Sequence, residues 1–459
     1  MGKKNYIIFD QTIRMKLSLP LLLTSFLFAA QAHAQVPHIN TISGTGVGGF
    51  SGDGFVSTGA QLHNPQSVIL DKTNNIYILD FLNHRIRKIN ATGTIVTIAG
   101  NGSTGFTGDG SVATSAEIYP YGIAVNRNNE LYISDASWNV IRKVNSLGII
   151  STVVGIGMYG NTGDGGPASD AKIGSPYGMT FDTANNLYFA DAKHHIVRRV
   201  SAAGIITKFA GNDTAGYAGD GDFAILARLD SPYAVAADHK GNVFISDIKN
   251  NVIRKVDPSG IISTYAGIAS TFGHSGDGGP ANAALLNRPA GIAVDVIGNL
   301  FIADADNDVI RKVDTFGIIT TVVGNGTPGF GGDMGPVNGC NLHTPFGVAV
   351  AVNGDLYIAD ANNQRIRKTY TPVSVNDVVH DVVTVYPNPT NDKINVTGLA
   401  SGDKVAITDI TGRAVTATAN VVNPTTIMLN LSDFSTGLYM LKVTGADGVI
   451  VSVVKVVKQ

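Results

Sequence analysis

Apolar and polar positions alternate along most of the chain in runs of five to seven residues, each run broken by Gly, Asn, Asp or Ser. Tyr121 to Asn126, Glu130 to Asp135, Val140 to Asn145 and Ile149 to Gly155 are four consecutive examples. A period of two over such lengths predicts half-buried strands joined by tight turns. The set of four then recurs. Prolines open it at Pro65, Pro120, Pro176, Pro232, Pro289 and Pro345; aspartates follow at Asp80, Asp135, Asp191, Asp247, Asp304 and Asp360; arginines follow at Arg87, Arg142, Arg198, Arg254, Arg311 and Arg367. By subtraction all three series are spaced 55, 56, 56, 57 and 56 residues apart, so six units are present with almost no insertions. Four antiparallel strands per repeat make the blade of a β-propeller. A solenoid, the alternative, is built from shorter repeats and requires a cap at each end.

The chain ends decide for a ring. The sixth unit stops after its third strand at Arg367-Lys368-Thr369, while Ile39 to Gly44, ahead of the first unit, matches the fourth strand of the others; Gly44 precedes Gly100 by 56 residues. This orphan fits the outer edge of blade six and would leave no unpaired seam. Beyond Thr371-Pro372 the repeat ends, and alternating segments such as Lys404 to Thr408, with turns at Gly402-Asp403 and Thr411-Gly412-Arg413, predict a small β-sandwich of about 80 residues. The expected fold is all-β: a six-bladed β-propeller closed by an N-terminal strand and followed by a small β-sandwich. The expected divisions are a leader at 1–34, the propeller at 35–370, a linker at 371–380 and the sandwich at 381–459.

Composition narrows the function. With 15% charged residues, 44% hydrophobic residues and a net charge of -2, the chain is folded and carries neither the basic footprint of a nucleic-acid binder nor a polybasic membrane surface. Its 35 acidic residues are 33 Asp and two Glu, the bias expected of turn-rich β structure. Cys340 is alone, so no intrachain disulfide exists, and it reads as a small buried residue. Lys16, the apolar run Leu17 to Ala30 and Ala32-His33-Ala34 form a secretory signal expected to be removed after Ala34. Fourteen apolar residues reach about 21 Å, short of the roughly 30 Å of hydrocarbon. Met15 begins this signal and is the expected start. No other stretch suits a membrane span, so the mature chain is expected to have no transmembrane segment and to be a monomer.

The repeated Asp and Arg flank one loop in every blade and read as hydrogen-bonded scaffold. Six Gly-Asp-rich loops, at Asp53, Asp109, Asp164, Asp220, Asp277 and Asp333, read as folded connections, with calcium as the sharper alternative. Asp304, Asp306 and Asp308 are the weak metal candidates; otherwise no cofactor is expected. Binding candidates lie on the face shared by the turns after the second strands and the loops leading into the inner strands. Tyr121, Tyr177, Tyr233 and Phe346 follow the repeat prolines, near the central channel. His84, Trp138, His194, His195 and Asn250 break the repeat in the other loop. Ligation of one metal by His194 and His195 is disfavoured, because neighbours on an extended strand point to opposite faces. Hydrolase, zinc-protease and phosphate-loop motifs are missing, and catalytic residues stay unassigned.

Asn83-His84-Arg85-Ile86, and Asn362-Asn363-Gln364-Arg365-Ile366 in the last blade, resemble the run that marks NHL repeats. That resemblance covers about residues 36–370. It implies the propeller fold without choosing an activity, since similar proteins range from interaction platforms and nucleic-acid binders to a copper- and zinc-dependent amidating lyase. Tyr386-Pro387-Asn388-Pro389, Ile410-Thr411-Gly412-Arg413, Gly437-Leu438-Tyr439-Met440-Leu441 and a terminal lysine-bearing strand resemble the C-terminal sorting domain of the type IX secretion system. This implies a secretion machinery as partner of residues 381–459, passage across the outer membrane of a Bacteroidetes-type bacterium, removal of the domain, and release or attachment at the cell surface. The expected function is a secreted or surface-held binding platform for polysaccharide or protein, with near-identical loops acting together. The alternative is an extracellular lyase or hydrolase with its site at the channel mouth.

Overall fold

A computed structural model of the chain describes residues 7–8, 36–372, 383–445 and 450–459. The expected leader lies outside the described residues except for Ile7–Ile8, whose backbone pairs with Val405 and Lys404. Residues 373–382, most of the expected linker, lie outside them too. The chain divides into two compact units, one holding residues 34–372 and the other residues 373–459. No α-helix occurs among the described residues, and none there is long and apolar enough to cross a membrane.

The first unit consists of six sheets built alike. In the fourth, Pro232–Ala237 is the inner strand, followed outward by Val243–Asp247, Val252–Val256 and Ile262–Ala266. The proline occupies the first position of its strand, where its missing N–H is tolerated. Second strands are buried on both faces, as in Val243–Asp247, because each sheet is covered by both neighbours. The sixth blade takes its outer strand from the start of the chain: His38–Ser43 pairs antiparallel with Arg365–Tyr370, in the register Ile39 with Thr369 and Thr41 with Arg367. The orphan strand therefore fills the gap it was expected to fill.

Closure is visible in the packing. Six apolar clusters fill the six junctions between successive blades, including the last with the first, where Ile366, Ala359 and Tyr357 meet Val68, Ile78 and Ile95. Ile39 of the closing strand enters the cluster between blades five and six, and Ile42 packs against the next. Cys340 is buried in the former and donates its thiol hydrogen to the Val337 carbonyl at 3.1 Å. The second unit has a four-stranded sheet, Thr384–Tyr386 with Lys393–Thr397, Thr426–Asn430 and Thr418–Asn423, and a five-stranded one, Lys404–Asp409 with Ile7–Ile8, Ala414–Val415, Gly437–Thr444 and Ile450–Lys458. They share one core, which includes Ile394, Val405, Leu429 and Leu441.

Deletion of residues 36–43 strips one blade of its outer strand, one junction of the buried Ile39 and the next of the partly buried Ile42. It is expected to lower the melting temperature of the whole propeller in a single cooperative transition; a midpoint shifted by only a degree or two contradicts closure.

Candidate functional site

In each blade a β-bulge interrupts the pairing of third and fourth strands at the repeat arginine, as between Ile253 and Arg254. The bulge turns the side chain in under the Gly-Asp loop. All six arginine side chains are fully buried. Their closest carboxylates are the loop aspartates Asp53, Asp109, Asp164, Asp220, Asp277 and Asp333, at 2.5–2.8 Å. The strand-end aspartates lie farther off, at 3.3–3.8 Å in five blades. The six loops expected as calcium alternatives are thus held by guanidinium. Asp304, Asp306 and Asp308 diverge: Asp304 accepts from the Asn287 N–H and the Asn307 amide, Asp306 pairs with Arg288 at 2.7 Å, and Asp308 accepts from the Thr344 N–H. No cluster of three or more His, Cys, Asp or Glu suited to a metal occurs among the described residues.

Pro65 pairs with Asp80, and its counterparts do likewise, so the start of every inner strand and the turn after every second strand share one face. Five of those turns are single 3-10 turns and that of blade two is an ordinary turn, and each ends in a left-handed residue: His84, Asn139, His195, Asn251, Asp308 or Gln364. Five of these latch onto the next blade, accepting the backbone N–H of the residue before its proline, as Asn251 does from Arg288 at 2.9 Å and His195 Nδ1 from Ser231 at 3.1 Å. The sixth cannot. Between its loop aspartate and the next proline, the connection into blade two is one residue shorter than the others, and the Tyr119 N–H goes to Asp135 instead. His84 Nδ1 is left buried without a partner, and the imidazole lies 5.1 Å from the Tyr119 ring. Burial, with Arg85 nearby, holds the His84 pKa below its ordinary value.

The other expected contacts sort by the same logic. Asn250 does not break the repeat: like Asn83, Asn307 and Asn363 it donates to the strand-end aspartate and to a glycine carbonyl of the loop above, at 2.7–2.8 Å. Trp138 and His194 are the two departures from that asparagine. His194 Nδ1 lies 2.8 Å from the buried Asp191, with its ring stacked on Tyr159 at 4.8 Å. Trp138 is 42% exposed and stacks on Phe106 at 6.1 Å. His194 and His195 sit in a turn, not on an extended strand; their separation comes from bonding in different directions. Tyr121 and Tyr177 stack face to face at 4.9 Å, Tyr233 is buried edge-on between Tyr177 and Phe346, and Phe81 and Tyr119 extend the cluster. These rings floor the channel mouth above a cavity of about 70 Å³. At the opposite end of the channel a cleft of about 240 Å³ is bordered by Asp71, Asn126, Asp182 and Asp238, each of which accepts hydrogen bonds from its own turn.

One set of residues escaped the sequence reading. Five of the six Gly-Asp loops carry a ring three residues before the aspartate, at Phe50, Phe106, Tyr217, His274 and Phe330. Phe50 and Phe330 lie 3.8 and 3.7 Å from the guanidinium carbons of Arg85 and Arg365, and the Tyr217 hydroxyl donates to the Asp220 carboxylate and shares a hydrogen bond with the Thr264 hydroxyl. The period of 56 that located the arginines would have located these rings as well.

Where Trp138 replaces asparagine, Asp135 loses a donor, and burial pushes its carboxyl up to about 7. A folded-state pKa above the unfolded value of about 3.9 means that this group's contribution to stability is full below that value and is lost as pH rises through about 7. Asp135→Asn is therefore expected to gain on the parent by up to about 1.4 kcal/mol per pH unit across that window, measured by denaturant titration at pH 4.5–8. Arg254→Ala, which leaves buried Asp247 and the Asp220 loop without their cation, is expected to cost about 3–5 kcal/mol at pH 8, where Asp247, pushed up to about 7 by burial, is ionised. Parallel pH profiles for Asp135→Asn and the parent would contradict the assignment of that carboxyl.

Residues 384–459 match the secretion system C-terminal sorting domain, residues 342–368 the NHL repeat, and residues 102–161 and 270–331 the teneurin NHL domain. The protein suppressor of quenching 1, chloroplastic, of Arabidopsis thaliana is 30% identical over 321 residues, which is 66% of this chain but only 30% of that protein. A Bacteroides thetaiotaomicron protein of unknown function shares the fold with a TM-score of 0.56 at 18% identity, covering 73% of this chain and 76% of its own. An auxiliary nutrient binding protein of the same organism does so with 0.53 at 15% identity, with the same coverage. At such identities the likeness is one of fold. Six closed four-stranded blades, the NHL match inside the last of them and the sorting-domain match over the final sheets agree: the chain is an NHL-repeat β-propeller that carries a type IX secretion C-terminal sorting domain.

Proposed function

We propose that the propeller, residues 35–370, is exported and presented outside the cell as a binding platform for a polysaccharide or protein ligand, after loss of the leader at Ala34 and with residues 381–459 addressing it to the secretion machinery of a Bacteroidetes-type bacterium. The observation that carries this reading is the packed channel mouth. Tyr121, Tyr177, Tyr233 and Phe346 lean on one another across it, and the roughly 70 Å³ below them is far smaller than a pocket of a few hundred Å³ that encloses a substrate. Contact with a ligand then falls to the outer surface of this face, where Trp138 and the Gly-Asp loops stand exposed. A lyase or hydrolase at the mouth would need room there that the aromatic floor takes up. The nutrient binding protein that shares the fold indicates what such a scaffold can carry.

The mature protein is expected to co-sediment reversibly with its ligand, with graded loss under substitution of single loops and no covalent change in the ligand. Release of unsaturated or reducing ends, abolished by substitution at one or two positions, contradicts the platform reading. A fusion of residues 371–459 behind a signal peptide is expected to carry a reporter across the outer membrane of a host with type IX secretion; retention in the periplasm contradicts the proposed route.

A further inference from the structure

We infer that the rim of this face is a carbohydrate-binding ring, on which one aromatic side chain per blade stacks against the apolar face of a sugar in a neutral polysaccharide. The inference rests on the platform reading above and names its ligand. The argument begins with a compensation. Blades one, two, four and six place Phe50, Phe106, Tyr217 and Phe330 three residues before the loop aspartate. Blades three and five have Asn161 and His274 there, and in those two blades alone a Phe or Tyr stands two residues earlier, at Tyr159 and Phe272. Every blade thus places a Phe or Tyr three or five residues before its loop aspartate, and blades one and four add a second exposed ring after it, at Phe55 and Phe223.

A scaffold role accounts for only part of this. Phe50, Phe106, Tyr217 and Phe330 cover the buried arginines of their own blades. Tyr159 and Phe272 cover none among the described residues, yet they are the most exposed of the six, at 61% and 70%. Packing on one side fixes ring orientation: Tyr159 lies on His194, and Phe106 lies on Trp138, which adds a second exposed ring. Rings already held in place lose little freedom when a ligand stacks on them.

Chemistry selects the ligand. The rings recur from blade to blade and are interleaved with the Gly, Ser, Thr and Asp of the loops, so each stands beside hydrogen-bonding groups. A polymer that alternates C–H faces with hydroxyls, and repeats along its length, meets repeated rings set among hydrogen-bonding groups. Charge argues for a neutral one. The six repeat guanidiniums are fully buried and paired, while the loop carboxylates are 33–47% exposed, so an acidic chain would meet negative charge first. Several weak stacking contacts on one rigid ring add through effective concentration.

Affinity electrophoresis of the mature full chain in gels containing amylopectin, xyloglucan, galactomannan or yeast mannan, with polygalacturonate as the acidic comparator, tests the inference. At least one neutral polymer is expected to retard the parent. Tyr159→Ala, Phe272→Ala and Trp138→Ala are each expected to weaken retardation about 2- to 10-fold, the size of a single aromatic stacking contact. Melting temperatures should hold, and Tyr159→Phe should restore binding. Undiminished retardation of a triple variant that melts like the parent overturns the rim while leaving the platform. Retention of an envelope protein with no neutral polymer bound overturns the glycan and leaves the platform. Retardation by polygalacturonate alone overturns the charge argument and the inference with it. Absence of all binding overturns both.

Discussion

One fully buried guanidinium per blade is the constraint on which the rest of the propeller depends. Taking an arginine out of water costs several kcal/mol unless its donors are met. Here a bulge, a loop aspartate at 2.5–2.8 Å and loop carbonyls are arranged to meet them. The satisfaction is uneven: the Nε of Arg87 and Arg142 reaches the loop aspartate, whereas the Nε of Arg198, Arg254, Arg311 and Arg367 is buried without a partner. Loop and sheet are therefore coupled. Losing the arginine frees a Gly-rich segment that has little packing of its own, and with it the ring that segment carries at the rim.

The same coupling separates scaffold from face. Six junctions share one packing solution, five of them share one latch, and the closing strand packs the last junction as the others are packed. Close backbone approaches enforce the solution: Gly267, at φ +92°, follows an outer strand where an added Cβ would stand 2.5 Å from the Asn251 carbonyl oxygen. Departures gather on the face that carries the turns. The shortened loop into blade two removes one latch and leaves His84 over Tyr119, and the replacement of asparagine by Trp138 and His194 leaves blades two and three with rings in place of amides. Symmetry supplies stability, and its breaking on one face supplies individuality.

Much of this was legible in the sequence because the propeller repeats itself. Prolines, aspartates and arginines at a constant period gave the blades, and the three-stranded last unit with its orphan at Ile39 gave closure. Partner identity was less legible. The strand-end aspartate and the arginine are neighbours across one hairpin, so local reasoning pairs them; the loop aspartate is 33 or 34 residues upstream, and only the folded loop brings it closer. Asn250 seemed individual because blades two and three lack its asparagine, while its counterparts in the other three blades reveal a shared tie. The histidine pair was assigned to an extended strand where the chain makes a tight left-handed turn. The rim rings stayed hidden because two of the six had shifted by two residues.

The most direct test of the account is side-chain hydrogen exchange of the repeat arginines, followed by NMR of their Nε–H groups in D2O. Six protected resonances, persisting long after that of Arg413, whose side chain is 79% exposed, are what the account predicts. Exchange of the repeat arginines as fast as Arg413 would show the guanidiniums open to water and the loops untied, and would contradict it.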